Sequence, residues 1–195
     1  MEYQIIAIAG KAGSGKGTFA DMLIRNYDFQ PMAFADPMKV FIHQVLQIPT
    51  KNLWGSSEFR TPYCRDVLQS LGTWGRNFRP AIWAEYLIRR LHIWQSGQPD
   101  PLGLLPLNAP RFRVVITDLR FPNELECLRT NIHTDSILIT RPHMESHLTE
   151  GQQAHESEVS LDRMNEKTFD YVLKNDSDLP HFKGICTQWA DNNIR

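Results

Sequence analysis

The chain has 195 residues, three cysteines and a formal net charge of −1 at pH 7, which fits one α/β domain that folds without disulfides or metal. Its basic residues are spread along the sequence, so the composition argues against a protein that binds long nucleic acid. The cysteines form no C-x-x-C pair, no apolar run reaches the ~18 residues of a membrane span, and no basic leader precedes the first strand, so we expect a cytoplasmic protein with free thiols.

The first predicted elements are a strand and a helix on either side of a glycine-rich loop. Residues 5–9 form a continuous apolar run typical of a strand buried in a parallel sheet. After the sequence GKAGSGKGT, apolar residues recur at helical spacing from residue 19 onward. Strand, glycine loop and helix in this order predict a phosphate-binding loop, whose glycines are Gly10, Gly13, Gly15 and Gly17.

This loop has the groups that a nucleoside triphosphate needs. Backbone N–H groups at the start of a helix attract phosphate, and Lys16 adds a point charge for the outer phosphates. The usual pattern G-x-x-x-x-G-K-[ST] has Gly17 where a hydroxyl is expected, and Thr18 follows one residue later. The resulting pattern resembles nucleoside monophosphate kinases such as adenylate kinase and predicts a Mg²⁺ ion that keeps more of its water. The alternative is a glycine-rich turn that binds no ligand.

The middle of the chain is predicted to be helical. Asp36 and Pro37 are expected to form the cap and first turn of one helix, and further helices are predicted for residues 64–72 and 81–94. No strand pattern lies between the first and last of these helices. Residues 96–110 contain four prolines and two glycines, which predict a surface connection.

The last part of the chain returns to an alternation of strands and helices. The strands are predicted in FRVVITD, SILITR and DYVLKN, with a helix near residues 123–129 and another at the end of the chain. This alternation predicts a parallel sheet with right-handed crossovers. Ligands of such sheets bind at the carboxyl ends of the strands.

Charged residues follow two of these strand ends. Asp118 ends one strand, where a carboxylate beside the loop lysine would hold the water shell of a metal ion. The alternative is that Asp118 caps the helix that follows DLRFPNE. Arg120 and Arg141 also lie at strand ends, and we expect their guanidinium groups to contact phosphate oxygens.

The polar tract at residues 142–163 predicts a lid. It contains three histidines and four glutamates, but His143, His147 and His155 lie on no clear helix and have no cysteine partners, which disfavours a metal site. A polar segment between two strands at the edge of an active site is typical of a lid that excludes water.

The motifs GKAGSGKGTFAD, FADPMK, LQSLGTWGR, ITDLRFPNE, AHESE and DYVLKND occur in this order over residues 8 to about 178. In this series the chain resembles phage deoxynucleoside monophosphate kinases, which are distantly similar to animal phosphomevalonate kinase. The resemblance implies transfer of the γ-phosphoryl group of ATP to a deoxynucleoside 5′-monophosphate, with Mg²⁺ as the metal. It departs from the family at LGTWGR, where the family often has an acidic residue before the tryptophan.

The resemblance also implies roles for individual residues. The ATP-binding residues would be Lys11, Gly13, Ser14, Gly15, Lys16, Gly17 and Thr18. The residues around the transferring group would be Lys16, Asp118, Arg120 and Arg141, with Thr18 and Asp118 holding Mg²⁺ through water. The acceptor and lid residues would be Asp36, Lys39, Arg65, Gln69, Trp74, Arg76, Trp83, His155 and Glu158, with Trp74 or Trp83 stacking on the base.

The expected fold is α/β: a P-loop NTPase-type parallel sheet flanked by helices, in one domain over residues 1–195. A helical acceptor-binding insertion is expected at about 37–95 and a short lid at about 142–163. ATP and the monophosphate are the expected partners, with no long nucleic acid and no membrane, and a homodimer is an open possibility. Two other functions stay open: a kinase of the same fold that acts on phosphomevalonate or dephospho-coenzyme A, and a nucleotide-gated switch or ATPase.

Overall fold

A computed structural model describes residues 3–55, 59–107, 111–142 and 159–194. Most of the predicted lid, with His155 and Glu158, lies outside these residues. The chain divides into two compact units, the first formed by Met1–Met32 and Ala109–Arg195 and the second by Ala33–Asn108.

The first unit is built on a five-stranded parallel sheet. Its strands lie in the order β2-β3-β1-β4-β5 and pair in parallel throughout. Their bounds are Tyr3–Ala9 for β1, Gln30–Met32 for β2, Phe112–Leu119 for β3, Asp135–Thr140 for β4 and Tyr171–Lys174 for β5. The predicted parallel sheet flanked by helices is confirmed.

Helices pack on this sheet through apolar side chains. The helices of the first unit are α1 (Lys16–Tyr27), α6 (Pro122–Asn131) and α7 (Leu179–Asn193); α2 to α5 belong to the second unit. Trp189 of α7 contacts Phe19 of α1 and Tyr171 of β5 edge to face, with ring centroids 5.3 and 5.2 Å apart. Residues 5–9 of the central strand β1 are all buried, on both faces of the sheet, which explains its unbroken apolar run.

The second unit is helical over the residues that the structure describes, as the sequence predicts. Its helices are α2 (Asp36–Leu46), α3 (Thr50–Trp54), α4 (Pro62–Phe78) and α5 (Ile82–Gln95). The helix predicted for 64–72 is longer at both ends. It begins at Pro62 because Thr61 caps it by accepting the N–H of Cys64 and a proline suits its first turn. The short helix α3 was not predicted.

The predicted cap of α2 is wrong. Ala35 is the N-cap of this helix and makes no side-chain cap bond. Asp36 lies in the first turn instead, where its Oδ2 accepts the N–H of Ala33 at 2.9 Å. The carboxylate also accepts a hydrogen bond from the buried Arg90, so it stabilises the core of the helical unit.

The proline-rich segment is more than a surface connection. Asp100 and Leu105 are buried, and Pro106 accepts a hydrogen bond at 2.8 Å from Nε1 of Trp94. The described part of this segment therefore packs against α5. Among the described residues, no helix is long and apolar enough to cross a membrane.

Candidate active site

The glycine loop connects β1 to α1 and has a left-handed backbone at three of its glycines. The φ angles of Gly10, Gly13 and Gly15 are +149°, +82° and +111°, a range that other residues rarely adopt. Gly17 lies within α1, has no left-handed φ, and its Cβ position faces open space. Three of the four glycines are thus required by the shape of the loop, and the fourth is not.

Groups of the protein itself lie against two of these glycines. A Cβ atom on Gly10 would come 2.5 Å from the carbonyl oxygen of Ile139, and one on Gly15 would come 2.7 Å from Cε1 of Phe182. The loop is therefore held closely between β4 and α7. Side chains at either position would displace it.

Lys16 folds back over the loop. Its Nζ donates to the carbonyl oxygens of Gly10 at 2.5 Å and Lys11 at 2.6 Å, and the side chain is only half-buried. Helix α1 begins at Lys16 with no side-chain cap and no acidic residue in its first turn. The positive end of the helix and the ammonium group therefore meet in one loop, which favours an anion.

Further side chains bind the loop from neighbouring strands. Nδ2 of Asn175 donates to the carbonyl of Ser14 at 2.9 Å, and Nη1 of Arg141 approaches the carbonyl of Gly13 at 3.4 Å. Nζ of Lys11 pairs with Asp162 at 2.7 Å, with both side chains about half exposed. Sequence reasoning singled out Arg141 at a strand end and missed Asn175, although Asn175 also directly follows a strand.

Asp118 lies in β3 at a β-bulge. Ala7 pairs with Ile116 while Ala9 pairs with Leu119, so β3 has one residue more than β1 over this stretch. Bulges redirect side chains and are common beside active sites. The half-buried Asp118 is in the extra stretch, one residue before the strand ends.

The alternative role of Asp118 as a helix cap is wrong. The N-cap of α6 is Phe121, and the capping carboxylate is that of Glu124. Oε2 of Glu124 accepts the N–H groups of Arg120 at 2.9 Å and Phe121 at 3.0 Å. Asp118 is therefore not the N-cap residue of this helix.

The predicted phosphate-side residues share one edge of the sheet. The last residue of β1, Ala9, pairs with Leu119 of β3 and with Leu138 of β4, so the ends of these three strands lie side by side. The glycine loop follows the first strand, Arg120 the second and Arg141 the third. The carbonyl of Arg120 also accepts a hydrogen bond at 2.7 Å from Oγ of the buried Ser160.

The donor atoms at this edge fit a magnesium ion. Thr18 and Asp118 offer hydroxyl and carboxylate oxygens, which Mg²⁺ prefers, and Mg²⁺ needs few protein ligands because it keeps several waters. Within the described ranges, no group of three or more His, Cys, Asp or Glu residues could hold a metal ion.

Asp36 and Lys39 lie in a buried charged cluster of the second unit. Arg90 of α5, 1% exposed, donates through Nε and Nη2 to both carboxylate oxygens of Asp100 at 2.8 and 3.0 Å, and through Nη1 to Asp36 at 3.0 Å. Nζ of Lys39 lies 3.4 Å from Oδ1 of Asp36. Two acids and two bases balance in this cluster, and sequence reasoning missed Arg90 and Asp100.

Hydrogen bonds within this cluster offset the cost of burial. Burial alone would raise the pKa of Asp100, but the bonds from Arg90 and the N–H of Leu104 lower the pKa below its usual value. Burial likewise opposes the charge of Arg90, and the bonds and charges of Asp100 and Asp36 raise the pKa of its guanidinium. Both groups are therefore charged in the folded protein.

Helix α4 presents the predicted acceptor residues on one stripe. Arg65, Gln69 and Arg76 are spaced by four and seven residues, which places them on one side of the helix, and all are half-buried. Nη2 of Arg76 donates to Oγ1 of Thr73 at 3.1 Å, and Gly72 leaves space for the guanidinium beside Met38. The structure therefore places these three residues on one face of α4.

The two tryptophans of the prediction differ in their surroundings. Trp83 packs against α4, with its ring over Gly75 and its Nε1 donating to the carbonyl of Gly72 at 3.0 Å. Trp74 is 59% exposed and contacts the exposed Phe78, with ring centroids 5.5 Å apart. At 100° per residue, Trp74 lies about half a turn around α4 from Arg76. The stacking role of either tryptophan stays a prediction that this geometry does not favour.

Comparisons with known proteins agree with the fold. No protein family model matches the chain. It is 28% identical over 203 residues to a protein of Acanthamoeba polyphaga mimivirus named "Putative deoxynucleotide monophosphate kinase", and the match covers 96% of each chain.

Two solved structures are similar at low sequence identity. They are the dephospho-CoA kinase of Campylobacter jejuni (15% identity, 98% of this chain and 97% of that chain, TM-score 0.51) and TT1252 from Thermus thermophilus (19% identity, 100% of each chain, TM-score 0.54). These likenesses show the fold. The chain therefore has the fold of these structures, and over nearly its whole length it is similar to a protein named as a deoxynucleotide monophosphate kinase.

Proposed function

We propose that this kinase transfers the γ-phosphoryl group of ATP to a deoxynucleoside 5′-monophosphate. The glycine loop carries the proposal, because it combines a left-handed backbone, an uncapped helix start and Lys16 at one edge of a parallel sheet. The name of the mimivirus relative supports the class of acceptor. An oxygen of the acceptor phosphate would attack the γ-phosphorus while the bond to the β,γ-bridging oxygen breaks, which gives ADP and the diphosphate.

On the donor side, backbone N–H groups of the loop would bind the phosphates of ATP. The ammonium of Lys16 would exchange the carbonyls of Gly10 and Lys11 for oxygens of the β- and γ-phosphates. This exchange costs little because the side chain is half-buried and the two carbonyl oxygens are neutral. Arg120 and Arg141, which follow the two strands beside β1, would neutralise charge on the transferring group.

A magnesium ion would be held through water by Thr18 and Asp118, together with the phosphates of ATP. When bound, it would supply charge neutralisation between the β- and γ-phosphates. The bulge in β3 supports this role for Asp118, because bulges redirect side chains beside active sites.

On the acceptor side, Arg65, Gln69 and Arg76 would bind the monophosphate. Planar guanidinium groups suit phosphate oxygens, and the stripe on α4 places two of them on the same helix face. Lys39 is buried beside Asp36, so its contribution would be to hold this part of the helical unit in shape. His155 and Glu158 stay predictions for the lid.

An ADP-release assay with different acceptors tests the proposal. The acceptors are dAMP, dTMP, dGMP, dCMP, the four ribonucleoside monophosphates, phosphomevalonate and dephospho-coenzyme A. We expect release to depend on at least one deoxynucleoside monophosphate. A rate that depends only on phosphomevalonate or dephospho-coenzyme A would assign the other acceptor class, and an equal rate without any acceptor would indicate an ATPase.

A further inference from the structure

Asn175 connects the end of β5 to the glycine loop. The residue is 7% exposed. Its side-chain Nδ2 donates to the carbonyl of Ser14 at 2.9 Å, and its backbone N–H donates to the carbonyl of Thr140 at 2.8 Å. The backbone of Asn175 is therefore held by the end of β4, and its side-chain amide is held by the loop.

The bond to Ser14 sets the direction of the next N–H group. A peptide bond is planar and trans, so its C=O and N–H point to opposite sides. Because Asn175 binds the carbonyl of Ser14, the N–H of Gly15 points away from Asn175. Gly15 is the N-cap of α1, has a φ of +111°, and carries no side chain that could cap the helix.

Gly15 also leaves the space that the amide occupies. A Cβ atom on Gly15 would lie 2.8 Å from Nδ2 of Asn175 and 2.7 Å from Cε1 of Phe182. A larger residue would push the amide away from the Ser14 carbonyl. The glycine and the asparagine therefore depend on each other.

We infer that Asn175 is a positioning residue of the phosphate loop, which orients the peptide between Ser14 and Gly15 so that its N–H faces the phosphates of a bound nucleoside triphosphate. This inference rests on the proposed function for its ligand. A neutral amide suits the task, because it binds a carbonyl oxygen without adding a charge that would compete with the phosphates for Lys16.

Asn175→Ala removes the donor, and Asn175→Asp keeps the size but places an acceptor against the carbonyl. Asn193→Ala is the matched control. Nδ2 of Asn193 donates to the carbonyl of Trp189 at 2.8 Å, and its Oδ1 accepts the hydroxyl of Tyr171 at 2.9 Å. The control therefore loses the same kind of bond and one more in the same unit, at the opposite end of α7 from the loop.

Two measurements are made on each folded variant. The first is the ¹⁵N order parameter of the Gly15 and Lys16 amides in the ligand-free protein, and the second is the Kd for ATP by calorimetry. For Asn175→Ala we expect lower order parameters at both amides and a Kd raised about tenfold, with a larger rise for Asn175→Asp. Asn193→Ala should leave the order parameters unchanged and the Kd for ATP within about twofold of the wild type.

Unchanged order parameters in both Asn175 variants would overturn the inference. If the wild type binds ATP, an unchanged Kd in both Asn175 variants would also overturn it. An equal loss of affinity in Asn193→Ala would overturn it too, because it would indicate general destabilisation. A wild type that binds no ATP would contradict the proposed function, and the order parameters would still decide whether Asn175 holds the loop.

Discussion

The two units of the molecule use cations in opposite surroundings. In the glycine loop, Lys16 is half-buried and its ammonium rests on two neutral carbonyls. In the helical unit, Arg90 is 1% exposed and is bound by two carboxylates. The first cation can exchange these two carbonyls for a ligand at small cost, whereas removal of the second leaves two carboxylates buried without their cation. Charged residues can therefore serve either to bind a ligand or to hold the fold together. Their exposure and the charge of their partners distinguish the two roles.

The largest expected effect on stability breaks the buried cluster. Arg90→Met removes the cation and leaves Asp36 and Asp100 buried without it, which should lower the free energy of unfolding by about 3–5 kcal/mol. Chemical denaturation measures the change. The control is Arg79→Met, whose pair with Glu85 is largely exposed and should cost less than about 1 kcal/mol. Equal free energies of unfolding for the two variants would show that the buried cluster does not stabilise the fold more than an exposed ion pair does.

The corresponding change in the loop should affect activity instead. Lys16→Met should lower kcat at least about 100-fold, equivalent to about 2.7 kcal/mol of transition-state stabilisation, while the free energy of unfolding changes by less than about 1.5 kcal/mol. Lys183→Met, at an exposed position of α7, is the control for loss of a positive charge. Retention of more than about a tenth of the wild-type kcat would exclude Lys16 from the mechanism.

A smaller effect separates Asp118 from its neighbour Glu124. Asp118→Asn should lower kcat about tenfold and raise the Mg²⁺ concentration at half-maximal rate, because an amide cannot balance the charge of the ion. Glu124→Ala should lower the melting temperature through loss of the α6 cap and leave the Mg²⁺ dependence unchanged. A Mg²⁺ titration of both variants checks this. An identical titration for Asp118→Asn and the wild type would contradict the metal role.

The two arginines of the proposed site should differ in kinetics. Arg76→Ala should raise the KM for the monophosphate several-fold more than it lowers kcat, because the acceptor phosphate is charged before and during transfer. Arg141→Ala should mainly lower kcat, because it is assigned to charge that moves in the transition state. Lysine should rescue either position poorly. If KM and kcat change in the same way in both alanine variants, the assignment of Arg76 to the acceptor phosphate and of Arg141 to the transition state is wrong.

The elements that were predictable from sequence are those fixed by local pattern. Strands β1, β3, β4 and β5 contain continuous apolar runs, and the loop is fixed by glycines whose φ angles are left-handed. The position of Arg141 followed from the rule that parallel strands end at one edge.

Partners that are distant in sequence could not be predicted. Asp36 stands directly before a proline, which is typical of a cap, yet its partner Arg90 lies 54 residues away and in α5 is one of two adjacent arginines. Trp83 and Gly75 likewise contact each other only because α4 and α5 pack together, and the sequence around each residue does not indicate this contact. Long-range pairing of charges depends on the tertiary fold.

The most direct test of the proposed function follows the label from [γ-³²P]ATP in a reaction with a deoxynucleoside monophosphate. We expect the label to appear in the deoxynucleoside diphosphate for the wild type, and to appear neither there nor in inorganic phosphate for Lys16→Met. Label found only in inorganic phosphate, at a rate that does not depend on any deoxynucleoside monophosphate, would contradict the proposed function.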